Sequence, residues 1–175
     1  LKKLLLFISS LFFANANAQS EFDLEKTLKI ERRDMIVMEI DTYLNEKSNY
    51  GENIEKLNSS QQTFLFVENL EREMNNGGFN QFYFNSSGDF SQETVNALLV
   101  IGAKKTAEIV KKANSEFKNG IVSKDRTERQ TELELIEKNA EENWNKCDSE
   151  FYEYKDDLTE LLIAFVIKNK TEFKK

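Results

Sequence analysis

The chain reads as all-α: a single compact multi-helix domain with an N-terminal helical extension, preceded by a signal peptide. Three observations lead there. None of the 175 residues is proline, so no position forces a break in a helix. Apolar residues recur at three- and four-residue intervals, and strand-like alternation is scarce. Glycine and asparagine fall between the apolar stretches, where chain reversals need them.

Residues 1–18 have the form of a signal peptide. Lys2 and Lys3 precede an apolar run from Leu4 to Ala14 that only Ser9 and Ser10 interrupt, and Ala16-Asn17-Ala18 presents small residues to a peptidase. Cleavage is expected between Ala18 and Gln19, which would place the mature chain in the periplasm or outside the cell. The run is shorter than the ~20 apolar residues that a membrane span requires, so no span is expected after cleavage.

Residues 19–58 form the extension. A helix is expected from about Leu24 to Leu44, its apolar side made of Leu28, Met35, Ile36, Met38, Ile40 and Leu44. Asn49-Tyr50-Gly51 closes it. The main domain, 59–175, opens with Ser59 or Ser60 as a helix cap. Its first helix carries Phe64, Leu65, Val67, Leu70 and Met74, and stops at Asn76-Gly77-Gly78, because glycine tolerates the left-handed conformation that ends a helix. Phe79, Phe82, Tyr83 and Phe84 then make a short turn or single coil, which is expected to fill the core. Asn76, Asn80, Gln81 and Asn85 are expected to bond its backbone. Ser91 caps a helix to Ile101; Gly102 separates it from another running to about Phe117; Asn119-Gly120 turns the chain. A long helix follows from Arg126 to Trp144, with a break near Cys147-Asp148-Ser149. The last helix carries Leu158, Leu161, Leu162, Phe165 and Val166, apolar enough to be placed in the middle of the bundle.

Charge narrows the partners. The net charge is −7, and loss of Lys2 and Lys3 with the leader takes it to −9. From Asp125 to Glu160, 13 acidic residues face 5 basic ones. Direct nucleic-acid binding is not expected, since phosphate contacts need a basic surface. A protein partner is expected, and a basic one suits the charge. A homodimer is also allowed.

Catalytic residues are scarce. There is no histidine, the commonest general base and transition-metal ligand, and Cys147 is the sole cysteine, which reads as a small buried hydrophobe. Neither a metal nor a cofactor is expected. Ser115-Glu116-Phe117-Lys118 fits S-x-x-K without its companion motifs. Gly102-Ala103-Lys104-Lys105-Thr106 lacks the first glycine and the strand of a phosphate loop. Carboxylates alone remain: Glu68 with Glu71, or Glu93 with Asp89, are the pairs able to converge near the aromatic turn.

The stretch Asn76-Gly77-Gly78-Phe79-Asn80-Gln81-Phe82-Tyr83-Phe84-Asn85-Ser86-Ser87-Gly88, followed by Glu93-Thr94 and Gly102-Ala103, resembles a bacterial helical domain family typified by an acidic DNA-mimic protein. The resemblance runs from about Ser59 to the C-terminus. It implies structural roles for Asn76, Gly77, Gly78, Phe79, Gln81, Phe82, Asn85, Gly88, Glu93, Thr94, Gly102 and Ala103; the scarcity of catalytic residue types makes a non-enzymatic domain the expectation.

Glu128, Glu132, Glu134, Glu137 and Glu141 are the candidate partner-binding residues. A four-residue step rises ~6 Å along a helix, near two base-pair rises of ~3.4 Å, so such a row is able to imitate phosphates, although Arg126, Arg129 and Lys138 interrupt it. An exported protein would not meet cytoplasmic DNA-binding proteins. The expected function is thus an exported, acidic, protein-binding domain. The alternatives are an immunity or inhibitor protein that masks a basic toxin or enzyme, and a carboxylate-based enzyme.

Overall fold

The computed structural model describes residues 22–174; the expected signal peptide 1–18, with its cleavage point between Ala18 and Gln19, lies outside the described residues. Seven α-helices occur among the described residues, and no strand: α1 (Leu24–Thr27), α2 (Arg33–Lys47), α3 (Ser59–Phe84), α4 (Ser91–Ile101), α5 (Lys104–Asn114), α6 (Arg126–Phe151) and α7 (Leu158–Lys168). Single 3₁₀ turns at Ile54–Lys56, Ser86–Phe90, Lys118–Gly120 and Lys170–Phe173 join or end them. No described helix is long and apolar enough to cross a membrane.

The helix expected from Leu24 to Leu44 is two. The Asp23 carboxylate accepts the Glu25 and Lys26 amides at 3.0 and 3.2 Å, which starts the four-residue α1, and Arg32 is extended before α2. A continuous helix would turn Ile30 about a third of a turn away from Leu24. The break lets Leu24, Leu28 and Ile30 all reach the core. α2 then inserts Ile36, Ile40 and Leu44, each fully buried, against α3 and α7.

α3 is capped by Asn58 rather than by Ser59 or Ser60. The Asn58 carboxamide oxygen accepts the Gln61 amide at 3.0 Å, and Gln61 Oε1 accepts the Asn58 amide at 3.3 Å, so two exposed donors are satisfied reciprocally. Both side chains also donate to the Glu172 carbonyl, which draws the C-terminal segment onto the start of α3.

α3 occupies the centre of the bundle, in contact with α2, α4 and α6. The sequence suggested α7 for that place, but α7 lies against α2 and α4. Its Leu158, Leu162, Ile163 and Val166 are buried on one stripe, while Ala164 and Ile167 face outward. High hydropathy made α7 look fully enclosed; the mixed but longer α3 buries more because it is flanked on several sides.

Two further expectations are corrected. Ser91 does not cap α4 with its side chain; it lies inside the helix, and its hydroxyl donates at 2.7 Å to Asn114 Oδ1, which also accepts the Tyr83 hydroxyl at 2.7 Å. The long helix does not stop at Cys147-Asp148-Ser149. Cys147 is buried on the core side of α6, Ser149 donates back to the Asn145 carbonyl at 2.8 Å, and α7 is started by Asp157, whose carboxylate accepts the Glu160 amide at 3.0 Å.

Candidate functional site

The α3 helix is interrupted where the sequence placed its end. Gly78 has φ +73°, and Gly77 is also non-helical, so the ladder stops at Gly77-Gly78 and restarts as a helical stub from Phe79 to Phe84. A Cβ on Gly78 would sit 2.3 Å from Asp148 Oδ2. That closeness has a purpose: Asp148 Oδ1 accepts the Phe79 amide at 3.0 Å, and so α6 supplies the cap for the stub's first turn. Burial pushes the Asp148 carboxyl up, and the bond from Phe79 partly offsets this.

α6 also closes the other end of the stub. Arg129 is fully buried; its guanidinium donates to the Tyr83 carbonyl at 2.7 Å, the Ser123 carbonyl at 2.7 Å and the Asn85 carbonyl at 2.9 Å, and pairs with Asp89. Gln130 donates to the Phe84 carbonyl at 2.9 Å. A cation among the last carbonyls of a helix meets the negative end of its dipole. Gly88 is needed because a Cβ there would lie 2.7 Å from Arg129 Nε.

Within the stub, Phe79, Phe82 and Tyr83 are fully buried, whereas Phe84 is half exposed. Tyr83 stacks on Phe79 and contacts Phe117 and Trp144. The aromatic turn is therefore core, as its ring content suggested. Its amides behave otherwise. Gln81 and Asn85 both donate at 2.8 Å to Glu73 Oε2, and Ser87 donates at 3.0 Å to Oε1, so they bind a carboxylate across the break rather than turn backbone. Asn80 donates to Glu137 on α6.

Between the glycine break and α6 lies a groove of about 370 Å³, lined by Gly77, Asn80, Glu137, Lys138, Glu141, Trp144, Asn145 and Asp148. Trp144, whose indole N–H donates to the Ala113 carbonyl at 3.1 Å, is buried beneath it. Three carboxylates border the groove against one lysine. They do not close on a common point: among the described residues no three His, Cys, Asp or Glu side chains are grouped to hold a metal ion.

The five glutamates singled out in the sequence do not share one surface. Glu128 and Glu137 are nine residues apart, two and a half helical turns, and therefore point to opposite sides of α6. Glu128 accepts from the Ser123 hydroxyl and Glu132 from the Lys118 amide, each at 2.9 Å, on the flank that follows α5. Glu134, Glu137 and Glu141 lie on the other flank, beside α3. Asp148 extends this second group. Its signal was present, since Glu134, Glu141 and Asp148 recur every seven residues, but it was hidden by the expected break at Cys147. Of the three cations that interrupt the row, Arg129 is buried and absent from the surface.

The other carboxylates are engaged elsewhere. Glu93 pairs with Lys124 and Asp89 with Arg129. Glu68 turns inward with its Oε1 cut off from solvent. The signature positions Thr94, Gly102 and Ala103 support α4: Thr94 donates to the Phe90 carbonyl at 2.9 Å, Gly102 ends the helix at φ +92°, and Ala103 is buried. Asn76 is exposed beside the break.

A family model described as DMP19-like protein matches residues 55–169. That is well over half of the chain, so the chain belongs to this family, and its domain is DNA-mimic-like. No curated relative matches the chain, nor does any solved structure.

Proposed function

We propose that this DMP19-like protein is a non-enzymatic binding protein whose stripe of Glu134, Glu137, Glu141 and Asp148, with the groove beside it, receives a basic surface of another protein. The observation that carries the reading is the placement of those four carboxylates on one flank of one helix, with Glu137, Glu141 and Asp148 lining an open groove that holds a single lysine. Seven helical residues rise ~10.5 Å, close to three rises of ~3.4 Å along one DNA strand. Glu134, Glu141 and Asp148 thus repeat at a spacing that phosphates also offer, which fits a DNA-mimic-like domain. Such a row would steer a cationic partner and set its register more than its affinity.

Catalysis is left out of the reading because the chain has no histidine and its one thiol is buried, its pKa pushed up to about 11 chiefly by that burial. The leader-like sequence of residues 1–18 is consistent with a partner met in the periplasm or outside the cell; fractionation of the native protein tests this, and a cytoplasmic result would direct the search to DNA-binding proteins instead.

The binding reading is tested by charge reversal on each flank. The variant Glu134→Lys, Glu137→Lys, Glu141→Lys should lose capture of a partner from envelope extract at least tenfold, while Glu128→Lys on the opposite flank retains it. Equal capture by both would remove the assignment to this flank.

A further inference from the structure

Glu68 points into the seam between α3 and α2. Its Oε1 has no solvent-accessible surface and no hydrogen-bond donor. The nearest cation, Arg72, stands one turn further along α3, but its guanidinium is committed to Asp41 Oδ2 at 2.6 Å and to Asn69 Oδ1 at 2.7 Å. Asp41, reaching in from α2, also accepts the Asn45 amide at 2.9 Å. Glu71 flanks Glu68 on α3, and beyond it stand Tyr154 and Asp157 from the α6–α7 connection. The groups facing Glu68 are therefore two carboxylates and one guanidinium that is already paired.

A neutral carboxylic acid sits in such a place at less cost than a carboxylate, because on ionisation the enclosed Oε1 would be neither solvated nor met by a donor. We infer that Glu68 is a proton-held latch: while it carries a proton α2 closes on α3, and its ionisation drives α2 outward from the bundle. Burial is the main cause that lifts the Glu68 carboxyl to about 8, with Glu71 and Asp41 adding to it and Arg72 opposing. The folded pKa lies above the usual 4.5. Stability from the protonated latch is therefore complete below about 4.5 and is lost as pH rises through about 8. The element released is the one that carries Ile36, Ile40 and Leu44 into the core, so opening would uncover the apolar side of α3.

The test compares the intact protein with Glu68→Gln, which keeps the shape and cannot ionise. Measured by urea unfolding from pH 5 to 9, the wild-type folding constant should fall relative to the variant by up to about tenfold per pH unit until about pH 8, then level off. Asp41 and Glu71 are present in both proteins, so the difference between the two profiles reports Glu68 together with its coupling to them. Parallel profiles would overturn the latch. Amide exchange locates the effect: between pH 7 and 9 the wild type should lose protection in α2 beyond that in α6, and equal loss in both helices would also overturn it. Should Glu68→Gln not fold, carboxyl-carbon NMR on the wild type decides, with a Glu68 midpoint near 8 in support and one near 4.5 against.

Discussion

Arg129 does at the scale of one side chain what a turn of helix usually needs several groups to do. Its guanidinium gathers three carbonyls and the Asp89 carboxylate from three separate stretches of chain, and it is entirely enclosed. Loss of one partner from a buried ion pair typically costs about 3–5 kcal/mol; here it strands three carbonyls as well as the Asp89 carboxylate, whose side chain is 30% exposed. Arg129→Met should accordingly lower the stability read by urea unfolding by about that much. Arg129→Lys should recover little, since an ammonium cannot present donors in a planar fork. In the sequence Arg129 only interrupted an acidic row. Nothing local marks an arginine as buried; its role depends on carbonyls 44 and 46 residues away.

Among the elements, the breaks were more legible than the joins. Gly77-Gly78, Gly102 and Asn119-Gly120 all divide helices as their conformational freedom suggests, with positive φ at Gly78, Gly102, Asn119 and Gly120. Gly102 makes a clean test. An added Cβ there meets nothing nearer than Leu161 Cδ2 at 3.9 Å, so the penalty of Gly102→Ala is backbone strain alone, about 1–2 kcal/mol. A thermal melt should show that loss, and Gly102→Asn should show less of it, as asparagine visits the left-handed region more readily. Two of the missed boundaries share one cause. Asp148 and Ser91 are good cap residues in isolation, and the sequence alone predicts a helix boundary at each; both spend their side chains on distant groups, the Phe79 amide and Asn114. Likewise the two flanks of α6 are fixed by which residues face α3, and only the fold reveals that. The candidate site was half legible: Glu134, Glu137 and Glu141 were in the sequence reading, while Asp148 and the groove required the glycine break to be seen against α6.

For the molecule as a whole, the core is larger than the family match. Residues 55–169 match the family model, yet Ile36, Ile40 and Leu44 before it and Phe173 after it are fully buried, the last against Phe64 and Phe165. Each such side chain contributes ~1.5–3 kcal/mol on burial, and a domain holds only ~5–15 kcal/mol in total. A fragment of residues 55–169 should therefore fail to give a cooperative melt and dispersed amide NMR signals, while residues 22–175 should give both. The all-α class followed from spacing and from the absence of proline; the sharing of one core by the extension and the domain did not, because only contacts between α2, α3 and α7 reveal it.

The stub at Phe79–Phe84 has both of its ends finished by α6, through partners 69 residues ahead at Asp148 and 46 ahead at Arg129. A nascent chain emerging amino end first therefore carries an uncapped, ring-rich centre until α6 has been synthesised. Whatever meets this polypeptide during its synthesis handles it before its middle can set.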